Sequence, residues 1–150
     1  MARGVLIGLA MACVAFGCAD APEVTVEAPL FVFSSYPAAG ATVARSDLTE
    51  VAFTLSMNLG APEHGRLIGA RAFRLDGPDG PVALLEEGLT NVAYDGDAQL
   101  LRFVLASDLR EALPLGRYTA TLSAGLITED GVAMPLDFTA RFRLAAEPLE

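Results

Sequence analysis

From Leu30 onward the chain is cut into short apolar runs of alternating character, each closed by a turn signal, and a strand is the element that suits such a run. Leu30 to Tyr36 stops at Pro37, where Pro37-Ala38-Ala39-Gly40 marks a turn. Leu48 to Ser56 sets Val51, Phe53 and Leu55 on one face. Arg71 to Leu75 sets Phe73 beside Leu75 before the turn Asp76-Gly77-Pro78-Asp79-Gly80, and Pro81 to Leu85 returns as its hairpin partner. Asn91 to Tyr94 meets Asp95-Gly96, and Leu100 to Leu105 answers with Leu101, Phe103 and Leu105 on one side. Gly116 to Leu122 alternates Tyr118, Ala120 and Leu122 with Thr119 and Thr121. The last run turns Phe138, Ala140, Phe142 and Leu144 inward and Thr139, Arg141 and Arg143 outward. Only Ser107 to Leu113 has a helical look. The expectation is all-β: an antiparallel β-sandwich of seven to eight strands over residues 30–145, with 146–150 as a tail.

A chain of 150 residues, 53% of them apolar, has material for one domain with a real core. Its formal charge is −9, and every basic residue is an arginine. So acidic a molecule repels the phosphate backbone, which makes nucleic acid a poor partner.

The N-terminus follows a different pattern. Arg3 is followed by an uncharged stretch, Gly4 to Phe16, which is shorter than the roughly 20 residues that span a bilayer and fits the core of a signal peptide. Small residues at Ala15 and Gly17 mark a cut before Cys18, so residues 1–17 read as a leader. Removing them leaves nine arginines against nineteen acidic residues, a net of −10. It also removes Cys13, so no disulfide can form within the remaining chain. Residues 18–29, acidic and holding Pro22 and Pro29, read as an extended tether.

Val14-Ala15-Phe16-Gly17-Cys18 resembles the lipobox of bacterial lipoproteins, with Ala15 where the family usually has Leu and Phe16 where it has a smaller residue. The resemblance implies that the Cys18 thiol carries diacylglycerol and that Cys18 becomes the mature N-terminus, joined to a membrane of the cell envelope, the outer membrane or cell surface. Two or more acyl chains, each gaining about 0.8 kcal/mol per buried methylene, anchor a protein stably. Cleavage by an ordinary secretory peptidase, leaving a free thiol at Cys18, is the alternative, and Cys13 after Ala10-Met11-Ala12 is a rival lipidation site.

The body is similar to bacterial Ig-like domains of the S-layer and surface-protein type. The matching segments are Tyr36-Pro37-Ala38-Ala39-Gly40-Ala41-Thr42-Val43, Val51-Ala52-Phe53-Thr54-Leu55-Ser56-Met57-Asn58, Leu113 to Leu122, Ala124 to Gly131 and Phe138 to Phe142. Such a fold implies a tyrosine corner at Tyr118, its hydroxyl bonded to backbone just upstream. The periplasmic copper-binding Ig-like proteins share several of these pieces. Their histidine ligands, however, fall here on Cys18 and Val132, which argues against copper held in that manner.

Catalytic and metal-binding chemistry has few candidates. The single histidine, His64, lies in Ala61-Pro62-Glu63-His64-Gly65 and reads as a solvated loop residue with no nucleophile motif beside it. Asp76 to Asp79, Asp95-Gly96-Asp97 and Glu129-Asp130-Gly131 offer oxygen ligands, so Asp95, Asp97 and Asp130 are the candidates for calcium if turns from different strands converge. Asp and Gly are also what tight turns require of themselves. The expectation is a lipid-anchored envelope protein, not an enzyme and without cofactor, that presents one domain to a protein or cell-wall partner. The loop Asn58 to Gly69 is the contact region to examine first. The alternative is an envelope metal-binding protein, holding calcium at its acidic turns or related to the copper-binding proteins without their histidine ligands.

Overall fold

The structure is a computed structural model and describes residues 28–83 and 89–147. The expected leader, Cys18 and most of the tether lie outside the described residues, as do the end of the Pro81 to Leu85 run and the last three residues. In chain order the elements are β1 (Val32–Tyr36), β2 (Thr42–Ala44), β3 (Glu50–Leu55), α1 (Pro62–Ala72), β4 (Phe73–Gly77), β5 (Gly80–Pro81), β6 (Leu89–Asp95), β7 (Leu100–Leu105), α2 (Ser107–Ala112), β8 (Gly116–Leu122) and β9 (Phe138–Ala145). One sheet has the order β1-β3-β7-β6 and the other β2-β9-β8-β4-β5. The domain is an all-β sandwich.

Alternation decides which residues enter its core. In β7, Leu101, Phe103 and Leu105 are buried between exposed or half-buried neighbours, and in β9 Ala140, Phe142 and Leu144 are buried between Thr139, Arg141 and Arg143. Register then aligns the apolar positions: Val51 faces Phe103 across β3–β7, and Tyr118 faces Phe142 across β8–β9. Between the sheets stands an aromatic cluster. Phe53 and Phe103 from one sheet meet Phe73 and Phe138 from the other, with Phe73 and Phe103 stacked at 4.0 Å and Phe53 edge-on to Phe73, Phe103 and Phe138 at 6.0, 6.1 and 6.0 Å.

Strand β2 has no counterpart in the sequence reading. It runs parallel to β9, Thr42 against Arg143 and Ala44 against Ala145, whereas the other strand pairs are antiparallel. Three residues are too few to show alternation. What holds the segment is non-local: Gly40 N–H donates to Arg141 O at 2.7 Å and Arg45 N–H to Ala145 O at 2.9 Å. The chain therefore leaves β1 on one sheet and crosses at Pro37 to Gly40 to the edge of the other.

The expectation of a loop through Asn58 to Gly69, with a strand already under way at Arg71, is corrected: Pro62–Ala72 is the helix α1. Pro62 sits in the first turn, where its missing N–H costs nothing, with Glu63 beside it and Arg71 in the last turn to suit the helix dipole. Gly65 and Gly69 disguise the helix in sequence because each lowers its intrinsic propensity. Both face the sheet. A Cβ at Gly65 would collide with the Tyr94 ring, and one at Gly69 would lie 2.6 Å from Leu101 Cδ1. The close approach of helix to sheet that these glycines permit offsets the propensity cost. Among the described residues no helix is long and apolar enough to cross a membrane.

At the opposite end of the sandwich, Tyr118 is 1% exposed, and its hydroxyl donates to Pro114 O at 2.6 Å. Its ring stacks on Phe142 at 5.6 Å, and Arg45 Nη2 donates to Leu113 O at 2.9 Å, so two side chains hold the connection from α2 into β8. Burial raises the Tyr118 phenol above its ordinary pKa, with Arg45 opposing and Asp79 adding to the shift.

Two substitutions test this core. Phe103→Ala is expected to cost about 3–5 kcal/mol, because it removes a ring that packs against both sheets; chemical denaturation measures this, and a loss below about 1 kcal/mol would show that the cluster does not join the layers. Tyr118→Phe is expected to cost about 1 kcal/mol or more by stranding the Pro114 carbonyl, and an unchanged denaturation midpoint would remove the hydroxyl from any structural role.

Candidate functional site

Two of the three acidic turns singled out in the sequence, Asp95 to Asp97 and Glu129 to Gly131, meet at one end of the sandwich with His64, and the third lies at the other. β8 runs from Gly116, beside the Asp76 end of β4, to Leu122, which pairs with Phe73 where α1 ends. The Asp76 to Gly80 turn therefore lies at the Tyr118 end, while Asn58 to His64, Asp95 to Asp97 and Ile127 to Asp130 gather around the start of α1 at the other.

Asn58 is the hub of that end. Its Oδ1 accepts from the Tyr94 hydroxyl at 2.9 Å and from Gly60 N–H at 2.8 Å, and its Nδ2 donates to Gly96 O at 3.1 Å. The Tyr94 oxygen in turn accepts from Leu59 N–H at 2.7 Å. One amide and one phenol thus tie the β6–β7 turn to the segment that starts α1. Gly60 adopts φ of +110°, a left-handed conformation that glycine takes without strain, and it lies against the Glu129 side chain. Burial pushes the Tyr94 phenol above its ordinary pKa, the Leu59 hydrogen bond opposes this, and the charge of Asp95 adds to it.

Two carboxylates here, those of Asp95 and Glu129, are engaged by backbone. Asp95 Oδ1 accepts from Asp97 N–H at 3.0 Å and from Ala98 N–H at 3.1 Å, the side-chain turn that closes the hairpin. Glu129 Oε2 accepts from Ala61 N–H at 2.9 Å, next to the helix start, and Glu129 N–H donates to Leu59 O at 2.8 Å. Asp130 is exposed in the neighbouring turn, where Gly131 N–H closes onto Thr128 O at 3.0 Å. Asp95 and Asp97 border a surface depression of about 470 Å³ with Asn58, Gly60 and Pro62, and Asp130 is not among its lining residues. Among the described residues no three histidine, cysteine or acidic side chains come together as metal ligands.

His64 differs from its expected place in a solvated loop. It lies in the first turn of α1, half-buried, with Nε2 at 3.0 Å from Ile127 O, where the ring nitrogen carries the proton. It joins the helix to the β8–β9 connection. Asn58 and Tyr94 are the residues that sequence reading undervalued, since nothing local shows that an asparagine and a tyrosine so far apart will meet.

No family model, curated protein or solved structure matches this chain.

Tyr94→Phe is expected to cost about 1–3 kcal/mol, because Leu59 N–H and Asn58 Oδ1 each lose a buried partner. The folded-state phenol is raised above the ordinary 10.0 while the unfolded one is not. The stability it contributes is therefore whole below about pH 10 and lost as pH rises through the higher folded value. Melting curves from pH 8 to 11 should show a steeper alkaline decline for wild type than for Tyr94→Phe, and parallel curves would refute it.

Proposed function

We propose that this protein is a lipid-anchored component of the bacterial cell envelope that displays one Ig-like domain as a binding or structural module, without a catalytic role. The observation that carries the reading is the position of Cys18, directly behind Val14-Ala15-Phe16-Gly17 and separated by Ala19 to Pro29 from Leu30, the first fully buried residue among those described. A diacylglyceryl group at that cysteine fixes the domain to a membrane, and the proline-containing segment lets it stand clear of the surface.

The first described residues support this arrangement. Phe31 N–H donates to Ser56 Oγ at 2.9 Å and Ser56 Oγ donates to Pro29 O at 3.2 Å, so the chain is pinned to the body where the tether joins it. Phe31 and Phe33 stand exposed beside that junction, in edge-on contact at 4.9 Å. The Tyr118 hydroxyl on Pro114 and the pairing of two packed sheets support the Ig-like reading of the body.

The intact mass of the protein extracted from its own membranes tests the proposal. A mature chain starting at Cys18 with the added mass of diacylglycerol is expected, and Cys18→Ser should lose both the added mass and membrane retention. A bare chain starting at Cys18 would replace the anchor with plain secretion and a free thiol.

A further inference from the structure

The outer face of the β2-β9-β8-β4-β5 sheet carries a charge pattern at odds with the acidity of the chain. Arg141 and Arg143 point outward from β9, between buried Ala140, Phe142 and Leu144. Arg117 points outward from β8 directly opposite Arg143, and Thr119 lies opposite Arg141. All three arginines are exposed and line one depression of about 570 Å³ with Thr119, Gly40 and Ala41.

Like charges set opposite each other across a strand pair destabilise it. Thirteen acidic residues stand among the described residues, yet the ion pairs there are Arg74–Asp76 and Arg102–Glu50. Arg117, Arg141 and Arg143 make none there. At physiological ionic strength charges are screened beyond about 8 Å, so this cluster acts locally as a cationic site whatever the net charge of the molecule.

We propose that this depression binds the terminal phosphate or diphosphate of a soluble or polymer-borne ligand, with Arg117, Arg141 and Arg143 supplying the charge. A carboxylate carries one charge and satisfies one guanidinium fork. A phosphate monoester carries about −1.5 to −2 with three acceptor oxygens, and so neutralises several arginines at once. The Gly40–Ala41 backbone, hydrogen-bonded along β9, forms one side of the depression, which favours a slender ligand end over the flat face of a bilayer. This gives a ligand class to the binding module proposed above and rests on that reading of the domain, but Cys18 has no part in it.

Calorimetric titration of the purified full chain with inorganic pyrophosphate at low ionic strength tests it, beside vesicles of phosphatidylglycerol in phosphatidylcholine. Wild type and the helix variant Arg71→Gln should bind pyrophosphate saturably, and the triple variant Arg117→Gln/Arg141→Gln/Arg143→Gln should bind about tenfold or more weakly. Without ligand, the triple variant should melt no lower than wild type, because a repulsion has been removed. Should it fail to fold, Arg143→Gln alone is expected to weaken binding and raise the melting temperature. Absence of saturable binding by wild type, equal binding by the variants, or capture by the vesicles without binding of pyrophosphate would overturn the proposal. None of these outcomes depends on the mass measured at Cys18, so the anion site and the anchor fail separately.

Discussion

Four phenylalanine rings carry the contact on which the two sheets depend. Phe53 and Phe103 on one side meet Phe73 and Phe138 on the other, and the chain beyond Cys18 has no cysteine to cross-link the layers and no tryptophan to fill the space. Apolar burial and ring geometry must then hold the layers together without a covalent link. The strands flanking these rings could pair in several registers on backbone grounds alone. Seating Phe73 on Phe103 selects one, and a shift of one residue would turn every inward side chain to water.

The two ends of the sandwich are closed in different ways. At one, Tyr118 and Arg45 hold the carbonyls of Pro114 and Leu113 and fix the chain as it enters β8. At the other, Asn58 and Tyr94 join three segments and place α1 against β6 and β7, where Gly65 and Gly69 bring the helix backbone close to the sheet. Two of the acidic residues that look like ligands in sequence there serve a turn and a helix start: Asp95 closes a hairpin and Glu129 receives Ala61 N–H. The basic residues show the reverse. Arg117, Arg141 and Arg143 look like ordinary solvent-facing strand positions in sequence, and only the pairing of β8 with β9 concentrates them in one place.

Most strands were legible in the sequence. β7 and β8 have the bounds that alternation implies, because a turn signal stands at each limit and every second residue is apolar. α1 was hidden because Pro62, Gly65 and Gly69 are loop residues by propensity, and their use in a helix follows from what they pack against. His64 reads as a loop residue for the same reason. At the candidate site the residue types were visible, but the partners were not: Ala61 and Glu129 stand 68 positions apart.

The sequence by itself determined the period-two pattern, the turns and hence the all-β class, since these depend on backbone sterics and on side chains within a few residues of one another. The tertiary structure alone decided that the chain crosses from β1 to pair in parallel with β9, that a glycine-bearing segment becomes a helix, and that three arginines share one depression. Each of those outcomes depends on contacts between distant segments, and no local preference of the chain specifies which distant segments will meet.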